Sequence, residues 1–95
     1  MNRDHARAIL TEHLARYRPF PYERLAALIG SCEAEETRRP DGTVYQLEVE
    51  VLWEDQKTKT GDIRVIVAID GGPISTFRPM TDSFIKAPDG TFVGE

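Results

Sequence analysis

Disulfide chemistry is excluded at the outset: the chain holds a single cysteine, Cys32, so no intrachain bridge can form. A lone thiol suits a reducing compartment. With no His or Lys next to it in sequence to lower its pKa, it reads as a small buried hydrophobe, not a nucleophile. Long apolar runs are also missing. None approaches the roughly 18 residues that a membrane span needs. The opening segment MNRDHARAIL has no apolar stretch of signal-peptide length, so a cytoplasmic protein is expected. Positive charge is short as well. The net charge of −4 repels phosphate backbones and anionic lipid on average, and the only adjacent basic pair is Arg38-Arg39. The expectation is therefore no nucleic acid and no membrane among the partners.

The residue sets that carry chemistry are thin. The two histidines, His5 and His13, stand eight apart, about 80° around a helix, and cannot share a metal. His13 lies on an apolar stripe and reads as a core-rim histidine. Ser31, Ser75 and Ser83 lack a nucleophile-elbow context. Asp55 to Asp62 lacks the ligand spacing of a calcium loop. Gly71-Gly72 precedes Pro-Ile instead of a helix carrying a lysine, so it is no phosphate loop. Glu48, Glu50 and Glu54 alternate along a strand as a solvated face does. No catalytic residue, cofactor or metal site is expected.

What the chain does have is an ordinary globular balance, with 40% hydrophobic and 29% charged residues in 95 positions. That length makes one domain over residues 1–95, a helical segment 1–30 followed by a sheet segment 31–95. Ala6, Ile9, Leu10, His13, Leu14 and Tyr17 recur at helical spacing and predict an amphipathic helix that ends at Pro19. A second, shorter helix is expected from Pro21 to Ile29, with Gly30 as its stop.

From Cys32 the period becomes two. Tyr45, Leu47, Val49, Val51 and Trp53 alternate with polar residues over Thr43–Glu54. Ile63, Val65, Val67 and Ile69 repeat the pattern over Asp62–Asp70, and pairing Trp53 with Ile63 aligns the two apolar faces. A further strand is expected at about Ile74–Arg78, short or at an edge because of Pro73 and Pro79.

Pro-Asp-Gly-Thr occurs twice, at Pro40–Thr43 and Pro88–Thr91. In this tetrapeptide proline presets φ, aspartate bonds its own backbone and glycine takes the left-handed corner, so both copies read as hairpin turns. The first leaves two registers open. A three-residue loop sets Glu33 and Glu35 opposite Val49 and Leu47. A two-residue loop sets Ala34 and Cys32 opposite Val49 and Val51. In either case Cys32–Arg38 is a charged strand that belongs at a sheet edge.

The last half of the chain carries the pieces Tyr45-Gln46, Trp53-Glu54-Asp55, Gly61-Asp62-Ile63-Arg64-Val65, Ile69-Asp70-Gly71-Gly72 and Asp82-Ser83-Phe84-Ile85, then the ending Ala87-Pro88-Asp89-Gly90-Thr91-Phe92-Val93-Gly94-Glu95. In these it resembles a family of small bacterial proteins to which no reaction is assigned. The resemblance implies no catalytic residue.

These observations predict an α+β fold, two N-terminal helices packed on one face of an antiparallel, meander-like sheet of four or five strands. The expected function is a non-catalytic protein-interaction or binding domain. Its partner is a second copy, forming a homodimer, or another protein. Trp53, Arg64, Ile66 and Phe84 are the candidate interaction residues, although Trp53 falls on the core side of its strand. The other sheet face mixes Val44, Leu52, Ile66 and Ala68 with Arg64, and the C-terminal segment or another chain is expected to cover it. The alternative is a small-molecule-binding domain or small enzyme using a pocket between helices and sheet.

Overall fold

The change of period at Cys32 divides the molecule. In the computed structural model, which describes residues 3–40, 42–71 and 80–95, helices α1 (Arg3–Ala15) and α2 (Tyr22–Ala27) come first. Strands β1 (Cys32–Arg38), β2 (Val44–Trp53), β3 (Ile63–Gly71) and β4 (Met80–Lys86) follow. The strands form one antiparallel sheet in the order β1-β2-β3-β4, an α+β meander with the helices against the sheet. The strand expected near Ile74–Arg78 lies outside the described residues.

The α1 stripe is buried as its spacing predicts, from Ala6 through Ile9, Leu10 and His13 to Leu14. It meets Tyr45, Leu47, Val49 and Val51 of β2 and Ile63, Val65, Val67 and Ile69 of β3 in one core. Trp53 pairs with Ile63. Helix α2 is shorter than its apolar residues suggest. Its last turn tightens to three-residue bonds, Leu28 N–H to Leu25 carbonyl at 2.9 Å and Ile29 N–H to Ala26 carbonyl at 3.2 Å. Pro21 caps it in an extended conformation, and Tyr22 donates its hydroxyl to the Gly61 carbonyl at 2.7 Å, tying α2 to the β2–β3 loop.

The same pair of backbone bonds closes both Pro-Asp-Gly copies. Arg39 N–H reaches the Thr43 carbonyl and Ala87 N–H the Thr91 carbonyl, each at 2.8 Å. The glycine N–H closes each turn on the residue before proline, at 2.9 Å for Gly42 and 2.8 Å for Gly90. Gly42 and Gly90 have φ of 90° and 89°, a conformation costly for any residue with a Cβ. In the second copy the Asp89 carboxylate accepts from the Thr91 hydroxyl and amide, which holds its pKa below the usual range.

The first turn closes a three-residue loop, and the register is the one that goes with it: Glu33 pairs with Val49, Glu35 with Leu47 and Cys32 with Glu50. Cys32 faces away from the helices and is exposed, which corrects its reading as a buried hydrophobe. Glu33 and Glu35 take the helix side, where His13 of α1 and the following Arg16 and Tyr17 meet them.

The C-terminal segment stays on the helix side. Phe92 bridges to Lys86 and stands edge-on to Phe84, at 5.5 Å between centroids. Arg18 lies over both rings, at 5.3 and 5.0 Å, and its guanidinium holds the Glu95 carboxylate at 2.9 and 3.0 Å. Between these groups sits Lys86, buried, with Nζ donating to the carbonyls of Arg18 and Phe20 at 3.0 and 2.7 Å. Of the two covers expected for the second sheet face, the C-terminal segment or another chain, the first is not what these contacts show. Aromatic and cationic contacts fasten it to the α1–α2 connection instead.

Candidate functional site

With the helices sealing one side, the side chains pointing the other way form a second face. From β1 it presents Cys32, Ala34, Glu36 and Arg38; from β2, Val44, Gln46, Glu48, Glu50 and Leu52. From β3 it presents Arg64, Ile66, Ala68 and Asp70; from β4, Thr81, Ser83 and Ile85. Leu52, Ile66, Ala68 and Ile85 are half-buried, and Glu36, Glu48 and Glu50 are exposed.

Two of the four candidate residues lie on this face. Arg64 sits among Leu52, Ile66 and Ile85, because the Trp53–Ile63 register sets it opposite Leu52 and Ile85. Its guanidinium is held from two sides: Nη2 donates to Glu54 at 2.9 Å and Nη1 to the Ser83 hydroxyl at 2.8 Å. The hydrogen bond from Arg64 lowers the Glu54 pKa, and the same contact raises that of Arg64. The register makes positions 54 and 64 same-face diagonal neighbours, so this pair could have been found from the hairpin alone. Ile66 pairs with Glu50 on one side and Ser83 on the other.

The other two candidates lie elsewhere. Phe84 is only 3% exposed and pairs with Val65 in the core, so it is withdrawn from the surface reading. Trp53 is half-buried against the core. It borders a cleft of about 340 Å³ at the end of the sheet, with Ile29, Cys32, Leu52, Gln56 and Lys59.

A further depression, about 310 Å³, opens on the helix-free face among Gln46, Glu48, Ala68 and Asp70. The Asp70 Oδ1 atom is buried there with no hydrogen-bond partner among the described residues. Such an acceptor has lost water without gaining a donor, which is costly.

The polar cluster on the opposite side explains the charged edge strand. His13 is buried with Nε2 3.7 Å from Glu35, which also lies 3.7 Å from Arg16, and Tyr17 donates its hydroxyl to Glu33 at 3.3 Å. Burial pushes the His13 pKa below its usual 6.5, and the Glu35 carboxylate pulls only partly the other way. The unfolded chain therefore binds that proton more tightly than the folded one. Stability from this group is complete above the unfolded value and declines as pH falls below it. Urea midpoints are expected to fall between about pH 7.5 and about pH 5.5, and His13→Phe is expected to flatten that slope. An unchanged slope in the variant would assign the effect to other groups. The cavity beside His13, between α1 and β1, measures about 50 Å³, less than two waters' share of liquid volume.

Among the described residues, no cluster of three or more His, Cys, Asp or Glu could hold a metal ion, and no helix is long and apolar enough to cross a membrane. No protein-family model, curated protein or solved structure matches the chain, so what it does is argued from this surface.

Proposed function

We propose that this chain is a non-catalytic protein-interaction domain whose helix-free sheet face receives another protein. One observation carries the reading. Half-buried Leu52, Ile66, Ala68 and Ile85 surround a guanidinium held in place by Glu54 and Ser83, on the face opposite the helices. A preorganised polar centre within an apolar surround resembles the anchor regions of binding surfaces, where arginine is enriched. The single exposed thiol of Cys32 suits a cytoplasmic setting.

The test is retention of the native partner by surface variants. Ile66→Glu is expected to lose it at least tenfold, because a carboxylate would be desolvated beside Glu50. Glu12→Lys, exposed on α1, is expected to keep it. Equal recovery from both variants would remove the face from consideration. The cleft beside Trp53, which Glu50 and Lys59 also line, supports a second reading, a small-molecule ligand at the end of the sheet. Trp53 is the only tryptophan, so a fluorescence titration reports directly on occupancy of that cleft.

A further inference from the structure

The charge on the helix-free face is unevenly placed. Glu36, Glu48 and Glu50 stand on β1 and β2 with no ion-pair partner among the described residues, and Asp70 lies at the adjoining end of β3. Arg64, which borders the apolar residues, is already paired with Glu54, and Lys59 lines the cleft at the end of the sheet with Glu50. Arg38, at the far corner of β1, is the only other cation on the four strands' open side. The apolar residues Ile66, Ala68 and Ile85 lie on β3 and β4. The surface thus sets acidic residues on β1 and β2 beside a smaller apolar cluster on β3 and β4, which Thr81 and Ser83 flank.

We propose that the partner is a basic amphipathic helix of another protein. Its apolar stripe would lie over Ile66, Ala68 and Ile85, and its flanking lysines or arginines would meet Glu48, Glu50 and Asp70. This identification rests on the protein-interaction reading above and names the occupant of the same face.

The geometry fits such an occupant. A helix about 10 Å across spans two strands set about 4.8 Å apart. Its apolar stripe then covers β3 and β4 while one flank reaches β2. Glu48 and Glu50 are about 7 Å apart along the strand, close to the ~6 Å rise between helix positions i and i+4. The depression among Gln46, Glu48, Ala68 and Asp70 leaves room for a basic head group beside the exposed Glu48 carboxylate. The small side chain of Ala68 leaves room for it.

A second copy of this chain fits worse. A two-fold axis parallel to the strands lays the acidic residues on the partner's apolar cluster. An axis across the strands, in the plane of the interface, lays acid on acid. Neither supplies the cations that Glu48, Glu50 and Asp70 require.

The experiment uses the whole chain and three defined peptides: a Leu/Lys amphipathic helix of about 14 residues with lysines on both flanks, its Leu/Glu twin, and a shuffled peptide of the Leu/Lys composition. Amide shifts are followed by NMR. The Leu/Lys helix is expected to move Glu48, Ile66, Ala68 and Asp70 and to bind more weakly as salt rises. The triple variant Glu48→Gln, Glu50→Gln, Asp70→Asn, which leaves the core untouched, is expected to weaken it by about tenfold. The Leu/Glu twin and the shuffled peptide are expected not to bind.

Equal binding by the Lys and Glu helices, equal binding by the shuffled peptide, or shifts confined to the α1 side would overturn the proposal. So would no binding at all. A photo-cross-linking residue at position 66, used in cells that make the protein, separates the two levels of failure. An adduct with another protein, formed equally by the triple variant, removes the basic helix and leaves the interaction reading standing. An adduct of twice the chain's mass identifies a second copy and overturns the proposal. No adduct and no peptide binding removes both.

Discussion

Replacing Lys86 with methionine is expected to lower the free energy of unfolding by about 3 kcal/mol. Methionine keeps the length and most of the packing of the stem, so the variant isolates the ammonium group. That group donates to two carbonyls, those of Arg18 and Phe20, and sits 5.0 Å from the Phe92 ring. Hydrogen bonds to charged groups contribute about 1.5–3 kcal/mol each, and the orphaned carbonyls recover part of the loss wherever water reaches them. A melting temperature lower by about 15 °C follows for a domain of this size. Faster amide exchange is expected at Ala87 and Val93, whose N–H groups bond within the C-terminal turn and to β4. There is a genuine opposing effect: replacing buried charged groups by apolar ones is sometimes stabilising, because desolvation is costly. A Lys86→Met protein that melts at or above the wild-type temperature would show that desolvation wins here and that the tail is held by its rings and Arg18 alone.

Leu10→Ala is expected to cost about 3 kcal/mol, by loss of buried area and by the cavity left under the helix. Leu10 is 1% exposed, and α1 is the element that covers both β3 and β4. The strands beneath it cannot close the gap, because their positions are set by ladders on both sides of β3. Leu10→Met, nearly equal in volume, is expected to cost under about 1.5 kcal/mol. Arg7→Ala, exposed on the same helix, should stay within about 0.5 kcal/mol. Urea denaturation of the three variants checks the ranking. A Leu10→Ala loss no larger than that of Arg7→Ala would mean that the helix does not seal the sheet.

Where local chemistry and periodicity agreed, the chain alone was sufficient. The stripe from Ala6 to Leu14 could bury only as a helix. The alternation from Tyr45 to Trp53 and from Ile63 to Ile69 could bury only as paired strands, and one register satisfied both. The two Pro-Asp-Gly turns were legible because proline, aspartate and glycine act through their own backbones. Arg64 and Ile66 were placed on the second face by the same parity. Strand β4 was harder to read. Its helix-side positions hold Met80, Asp82, Phe84 and Lys86, so its apolar pattern is broken by two charges, and Phe84 was assigned to the surface it does not reach.

Parity along a strand is a property of the covalent chain, so the sequence determined which residues of β2 and β3 share a face and that one face would be sealed. It could not determine what lies across space from an edge. Whether Glu33 and Glu35 or Ala34 and Cys32 turn inward depended on whether donors stood opposite. His13, Arg16 and Tyr17 stand there only once α1 has docked. The path of the C-terminal segment likewise depended on Arg18 and on the carbonyls freed between two helices, which lie more than sixty residues away from Lys86. Such contacts carry no local signal, because their energy arises from desolvation and charge pairing between groups that only the folded chain brings together.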